Sequence, residues 1–596
     1  PLNLLFDAQR LTRGLRLAVG LSFILLTTTI CRLDLLFFDE FDDQFNHFLH
    51  GLLHEDIGAI AQTATGQHSL AWEIPLILLL AVVNAALFCW FIRPRAPGPG
   101  PKGPPTPRLT QLTICAVAGG LYFSAASGPI WKTDYQMLAL ATHPNTSYSP
   151  FVHNPYSALV YVVRENRNHT GVNAHETLAP DGSMRTAFAT VRRGADPMRS
   201  VDDAFRRQAR GPKGKPPRHV FVVVMESYDA WPLLDEYQSL QMAAEIKSLG
   251  TKGILIQKFL PAAHGSIRSL TSIVSGLPYV GPLPNQQPTS RELFPSSLAG
   301  AFQRLGYRTR MFSSGYERWQ NAAGYFRNQG FQEVYTAEDL TPSLQPTEWG
   351  AHDTDVYNFA LETIDDDVPS FNFIDTASNH PPYDLDVFAM GYPVRTLPKQ
   401  FEEAAQRGRL TPKIAGHFWY ADRAAADFVE RIETRLPRAL FALTGDHVSR
   451  RFPTPRPTLY ERSTVPLLLY GPGILPSVER PQDLIGTHVD IGPTLIELAA
   501  PADFEYYSSG FDVLGPEYPH TAHGSGRIIG RDFICEPRGG FHFEPMPGGT
   551  LPDPLPNLDK RMRWYSSVCA ITLWRIRNGP SLPLEVRSTS GTEKRD

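Results

Sequence analysis

Two short segments carry the residues with the most chemistry. HVFVVVMES ends an apolar run on Glu226, and RALFALTGDH ends another on the adjacent pair Asp446 and His447. A carboxylate at one strand end, with a carboxylate and an imidazole at another, offers oxygen and nitrogen ligands to a single cation. Each motif alone is common, since a lone Glu after a strand is usually a cap or a surface charge. Their joint occurrence in one domain is what favours a metal. A third segment, FLPAAHGSIRSLTSIVSGLP, opens a helix on a Gly-Ser step. That step sets a hydroxyl and backbone N–H groups where anions bind. By itself Ser266 reads as a helix cap. Beside a divalent cation its hydroxyl becomes a nucleophile. Ser269, one helical turn on, competes for the same role.

The elements that must hold these residues begin near Arg218. HVFVVVMES, YRTRMFSS, SFNFIDTA, RALFALTGD and VPLLLYGPG read as buried strands of a parallel sheet. SSLAGAFQRLG, FWYADRAAADFVERIETRL and VDIGPTLIELA read as the helices between them. Such alternation predicts an α/β domain with a mostly parallel sheet and helices on both faces. Ligands of such sheets bind beyond the carboxyl ends of the strands, where Glu226, Asp446 and His447 fall. The expected catalytic domain covers 217–515. Residues 129–216 read as a juxtamembrane linker whose basic RRQARGPKGKPPR is a solvated tether or lies against anionic headgroups. In the C-terminal extension, 516–596, HTAHGSGRIIGRDFICEP and RWYSSVCAITLWRIRNG read as added strands or a small subdomain. The final SLPLEVRSTSGTEKRD reads as a frayed tail.

Residues 1–128 read as a transmembrane region. Three apolar stretches, 15–30, 74–92 and 109–127, are each close to the ~20 residues a helix needs to cross a bilayer. Arg10 and Arg13 precede the first, with Arg16 at its start, and Arg93, Arg95, Lys102 and Arg108 fill the loop after the second. The loop between the first two is acidic. The positive-inside rule therefore puts the N-terminus and the second loop in the cytoplasm and everything after Ser127 outside. A chain that starts on Pro1 rather than Met is expected to lack upstream sequence. The net charge of −4 gives no reason to expect nucleic acid. Of five cysteines only Cys535 and Cys569 fall in the exported part, either as one disulfide or as two thiols.

Residues 218–500 resemble the lipoteichoic acid synthase and phosphoglycerol transferase branch of the alkaline phosphatase/sulfatase superfamily. The matching segments are VVVMESYDAWP, HGSIRSLTSIVSGLP, ASNHPPYDL, LTGDHVSR, VPLLLYGPGI and HVDIGPTLIEL, in that order. The acidic FFDEFDDQFNHFL and the apolar stretches resemble the family's membrane region. Members often have five spans, so three fit a truncated start.

The resemblance implies an alkaline phosphatase-like fold and one divalent metal, manganese first, with magnesium or zinc as alternatives. Glu226, Ser266, Asp446 and His447 would be its ligands. Ser266 would be the nucleophile where the family usually has Thr, chosen over Ser269 by its interval to Leu277-Pro278. His380 in SNHPPY would sit by the transferred phosphate, and Trp319 in YERWQN would line the substrate. Asn321 stands where the family has Arg, with Arg318 a nearby substitute. Arg268 is a phosphate contact on charge alone.

The implied reaction moves phosphoglycerol, or a related headgroup, from a phospholipid such as phosphatidylglycerol to a glycan or polymer hydroxyl. It would run through a phosphoserine on the outer side of a bacterial cytoplasmic membrane. Phosphoethanolamine transfer and hydrolysis by water are the alternatives, although enzymes of the first kind usually carry several disulfides. Sulfatase chemistry is disfavoured, because Arg268 and Leu270 stand where formylglycine formation needs Pro or Ala and then Arg. Retention of all four metal ligands disfavours a non-catalytic membrane protein.

Overall fold

The computed structural model describes residues 9–41, 70–91 and, with short gaps, 174–587, plus a few isolated positions between. The chain divides into two units, 1–53 with 61–164, and 54–60 with 165–596.

The first unit contains helices α1 (Gln9–Phe41) and α2 (Leu70–Phe91). Their segments Leu17–Phe37 (mean hydropathy 1.7) and Trp72–Trp90 (2.1) are long and apolar enough to cross a membrane. Leu26, Leu79, Val82 and Val83 are exposed on them, as expected of helices whose solvent is lipid. The Arg32 guanidinium makes two 2.6 Å bonds to the Glu73 carboxylate, joining the helices by an ion pair. Such charges are costly in lipid unless paired, so the pair fixes the helices' mutual register. The third apolar stretch, 109–127, lies outside the described residues.

The second unit is organised by one sheet. Its strands are β1 (His219–Met225), β2 (Ile254–Leu260), β3 (Arg308–Ser313), β4 (Glu333–Tyr335), β5 (Ser370–Asp375), β6 (Ala439–Gly445), β7 (Val465–Tyr470) and β8 (Ile485–Thr487). They lie in the order β4-β3-β5-β1-β6-β7-β2-β8. All neighbours are parallel except that β7 runs antiparallel to both β6 and β2. The expectation that VPLLLYGPG is a parallel strand is thereby corrected. Residues 446–464 contain no helix to carry a parallel crossover, so the chain turns back beside β6. The architecture is a mixed sheet, parallel but for β7, flanked by helices.

The period of two along β1 feeds two cores. Val220, Val222 and Val224 pack in one cluster with α3 (Ser266–Ser275) and α4 (Leu298–Arg304). Phe221, Val223 and Met225 pack in the other with α5 (Asp353–Thr363) and α6 (Pro412–Arg435). Helix α7 (Ile491–Ala499) joins the first cluster. Helices thus cover both faces, and the sheet's carboxyl edge is left to the loops.

The C-terminal extension, expected as added strands or a small subdomain, adds no strand to the main sheet. Strands β9 (Thr521–Gly524), β10 (Arg527–Gly530), β11 (Phe533–Pro537) and β12 (Phe541–Pro545) form a separate antiparallel sheet. RWYSSVCAITLWRIRNG, expected as added strands or part of a small subdomain, lies in helix α8 (Asp559–Asn578). Val568, Ile571 and Leu582 of this region pack on Met184, Phe188 and Val201. Arg575, buried in α8, places its Nε 3.0 Å from both carboxylate oxygens of buried Asp202. The basic segment after Asp202 is also folded. Arg206–Gln208 pairs with Glu505–Tyr507, and Arg210 bonds to Glu497 and Asp512. Cys535 and Cys569 are free thiols, buried in different apolar clusters.

Candidate metal centre and nucleophile

Register brings the first two carboxylates together. β1 and β6 pair Met225 with Gly445, so Glu226 and Asp446 emerge side by side. Gly445 is required there, because a Cβ would lie 2.2 Å from the Tyr228 carbonyl oxygen. Ser227 has φ 48, an uncommon left-handed conformation for a residue with a side chain. That bend turns its N–H to Asp446 Oδ1 at 2.7 Å, and its hydroxyl donates to Glu226 Oε1 at 2.5 Å. The His447 N–H also donates to Asp446 Oδ1, at 2.7 Å.

The imidazole is oriented by its far nitrogen. His447 Nδ1–H donates to the Val448 carbonyl at 2.9 Å, which leaves the Nε2 lone pair facing inward. Nε2 lies 3.3 Å from Asp446 Oδ2, 3.7 Å from Glu226 Oε1 and 3.3 Å from Ser266 Oγ. Ser266, the first residue of α3, also places its hydroxyl 3.3 Å from Glu226 Oε2. The Ser269 hydroxyl is fully buried and donates to the Ala263 carbonyl instead.

Glu226, Asp446 and His447 are buried, with ligand atoms all within 4.8 Å of one another. Burial, reinforced by the Glu226 charge, pushes Asp446 up to about 6. Burial alone would lower His447, yet the Asp446 and Glu226 carboxylates outweigh it and raise it. A third acid, Asp375 at the end of β5, is pushed up to about 7 by burial, with Asp446 and Glu226 adding. Crowded buried carboxylates that share one imidazole are relieved by a divalent cation. The oxygen and nitrogen donors present fit one.

The remaining expected residues are placed less directly. His380 follows β5, with Nδ1 2.7 Å from the Pro381 carbonyl and its ring 4.1 Å from that of Trp349. Burial pushes it down to about 4, and the Arg450 and His447 charges push the same way, so His380 is neutral near pH 7. Trp319 lies on the loop after β3, its ring over Gly315. Asn321 is exposed, in the left-handed region at φ 56, and its amide donates to the Asn285 carbonyl at 2.9 Å. Arg268 is buried in the first turn of α3, with its guanidinium 5.4 Å over the Tyr279 ring.

Sequence reasoning missed Asp375, Ser227 and His488. Asp375 ends SFNFID as Glu226 ends its own strand, so the same signal was available. Ser227 had no signal, because a left-handed serine is not written in composition.

With this geometry in place, the chain can be compared with known proteins. Residues 218–501 match the Sulfatase family model, and the chain carries a sulfatase-family domain there. Among solved structures it is similar to an integral membrane lipooligosaccharide phosphoethanolamine transferase from Neisseria meningitidis. That match has 14% identity and a TM-score of 0.50 over 83% of this chain and 87% of that one. A protein in the alkaline phosphatase superfamily from Vibrio parahaemolyticus matches at 17% identity and TM-score 0.49, over 70% of this chain and 97% of that one. A lipoteichoic acid synthase from Listeria monocytogenes matches at 16% identity and TM-score 0.47, over 64% and 93%. At such identities the first likeness speaks to the fold alone.

Proposed function

We propose that this protein is a membrane-anchored, metal-dependent phosphotransferase that works through Ser266. It takes phosphoglycerol, or a related phospho-headgroup, from a phospholipid such as phosphatidylglycerol and delivers it to a glycan or polymer hydroxyl. The carrying observation is the Ser266 hydroxyl 3.3 Å from both Glu226 Oε2 and His447 Nε2 at a helix N-terminus. Glu226, Ser266, Asp446 and His447 would hold one divalent cation, manganese first and magnesium or zinc as alternatives. That ion would supply Lewis-acid stabilisation of charge on the phosphoryl oxygens.

The protein's own groups do the rest. Glu226 Oε2, already accepting from Ser266, takes its proton as Oγ bonds to phosphorus. The P–O bond to diacylglycerol breaks, and diacylglycerol leaves with a proton from water. The acceptor hydroxyl then displaces Ser266 from phosphorus, its proton passing to water while Glu226 returns the first proton to Ser266 Oγ. The first-turn N–H groups of α3 face the phosphate oxygens. Neutral His380 serves as a hydrogen-bond partner for the transferred group, while Trp319, Asn321 and Arg268 belong to its surroundings. Anchoring in a bacterial cytoplasmic membrane, with this domain outside, keeps the site at high effective concentration of its lipid.

A second reading, phosphoethanolamine transfer, is favoured by Asn321, whose amide is tied to Asn285 and brings no positive charge to a glycerol phosphate. The test is diacylglycerol release from fluorescent phosphatidylglycerol by the full chain in detergent with manganese. Ser266→Ala should abolish it, and unchanged release would end the nucleophile assignment. Mass spectrometry of the Ser266 peptide tells glycerophosphoryl from phosphoethanolamine.

A further inference from the structure

The sheet order poses a problem for the site. Glu226 and Asp446 come from neighbouring strands, β1 and β6, but Ser266 follows β2, which lies beyond β7 from β6. Two strand spacings amount to about 10 Å. The loop 261–265 must therefore carry Ser266 back over the end of β7 and hold it there.

Two attachments from outside α3 hold that loop, and both meet at Ala262. β2 and β8 pair Leu260 with Thr487, so His488 emerges beside Pro261 and Ala262. The Ala262 N–H donates to His488 Nδ1 at 3.1 Å. His488 Nε2 then donates to the Gly445 carbonyl at 2.9 Å, immediately before Asp446. One neutral tautomer satisfies both bonds, and the ring is fully buried. His488 is itself firmly mounted, because the Thr487 N–H donates to Asp490 at 2.9 Å and Asp490 also accepts from Phe511 N–H and Tyr518 Oη.

The second attachment comes from the C-terminal sheet. Ser525 N–H, at the tip between β9 and β10, donates to the Ala262 carbonyl at 3.2 Å. The tip fits closely, since a Cβ on Gly524 would lie 2.4 Å from the Pro261 carbonyl oxygen and 2.8 Å from Thr487 Oγ1. Both polar groups of Ala262 are thus engaged.

We infer that His488 and the 524–526 hairpin tip are positioning elements that tie the Ser266 loop to the strand end bearing Asp446 and His447. The C-terminal sheet is then a working part of the catalytic apparatus rather than an appendage. The inference goes beyond the proposed reaction and takes from it only Ser266 as nucleophile.

The test uses the full chain in detergent with manganese and the variants His488→Phe, His488→Gln and Gly524→Ala. Phe keeps the ring volume and removes both bonds, whereas Gln restores one. Amide exchange at Ala262 should be fast in His488→Phe and slow in the wild type. Diacylglycerol release per phosphorylatable Ser266, counted by burst amplitude, should fall about 100-fold at nearly constant KM, the usual effect of a small misplacement. His488→Gln should recover part of it, and Gly524→Ala should lower kcat in the same way.

A merely structural role would reduce the burst amplitude and leave the rate per active serine unchanged, which would overturn the inference. Unchanged protection at Ala262 in His488→Phe would overturn it too. Should that variant not fold, Gly524→Ala and His488→Gln carry the same readouts. If the wild type releases no diacylglycerol, the transferase reading fails, and amide exchange still decides whether the tie exists.

Discussion

At the scale of single residues, the site stores electrostatic repulsion that a cation would relieve. Glu226 and Asp446 are buried side by side, with Asp375 close behind. Removing one charge should therefore stabilise the metal-free protein while weakening its response to metal. Glu226→Gln is expected to raise the Tm of chelator-treated protein by about 1 °C, the size of roughly 1 kcal/mol in a unit of this length. It should also lose most of the manganese-induced rise seen in the wild type. A full manganese response in Glu226→Gln, followed by differential scanning fluorimetry, would remove Glu226 from the ligand set.

His417, on α6, makes a different prediction. Its Nε2 accepts from the Leu385 N–H at 3.1 Å, while Nδ1–H donates to the Lys413 carbonyl at 2.9 Å. Burial pushes it down to about 4, with the Lys413 and His352 charges adding and Asp384 opposing. Because the folded value lies below the unfolded one of about 6.5, the unfolded chain binds the extra proton first. Stability is unaffected above that value and falls as the pH drops from there toward about 4. Urea unfolding at pH 5 and pH 7 should differ by about 2 kcal/mol more in the wild type than in His417→Gln. An equal difference in both would show that His417 does not set this dependence.

At the scale of elements, the clearest dependence is that of α8 on Asp202. Arg575 and Asp202 are both nearly inaccessible, so Asp202→Ala would strand a buried guanidinium. The expected cost is about 3–5 kcal/mol by denaturant unfolding, with Asp202→Ala/Arg575→Met cheaper than the single change. A loss below about 1 kcal/mol would show that the pair is solvated in solution.

This helix also shows where a sequence misleads. Its Trp, Tyr, Val, Ile and Thr residues favour strand by type, and burial is unbroken from Ser567 to Leu573, so no one-sided stripe marks the segment as a helix. The strands that lead to Glu226, Asp375 and Asp446 were legible because they are mostly apolar runs followed by an acid, even though Asn372 interrupts SFNFID. β2 was not, because Gln257 and Lys258 interrupt ILIQKFL, and β4 and β8 are only three residues long. The direction of β7 is equally unreadable, since a strand buried on both faces looks the same in either sense. The Glu226, Asp446 and His447 grouping could be anticipated from strand ends. The approach of Ser266 could not, because it depends on a loop crossing a strand and on the bonds made to Ala262.

At the scale of the whole molecule, the two apolar helices anticipate how the chain behaves with a membrane. Membranes washed at high salt and alkaline pH should retain the full chain, whereas deletion of residues 1–91 should weaken that retention. Protease added to intact spheroplasts should cut within 165–587, and protection of that region would reverse the orientation drawn from charge.

The sulfurs of the second unit have a consequence for how the domain matures. Cys535 is inaccessible, Cys569 nearly so, and burial pushes both thiols up to about 12. Neither is a thiolate at neutral pH, so neither enters exchange chemistry while the fold is closed. The domain therefore reaches its final form without an oxidant and acquires the same covalent structure in reducing or oxidising surroundings. An alkylating reagent left with the native protein would meet these two sulfurs only when their surroundings open. The pace of their modification is accordingly a clock for opening, read separately beneath the C-terminal sheet and beneath α8.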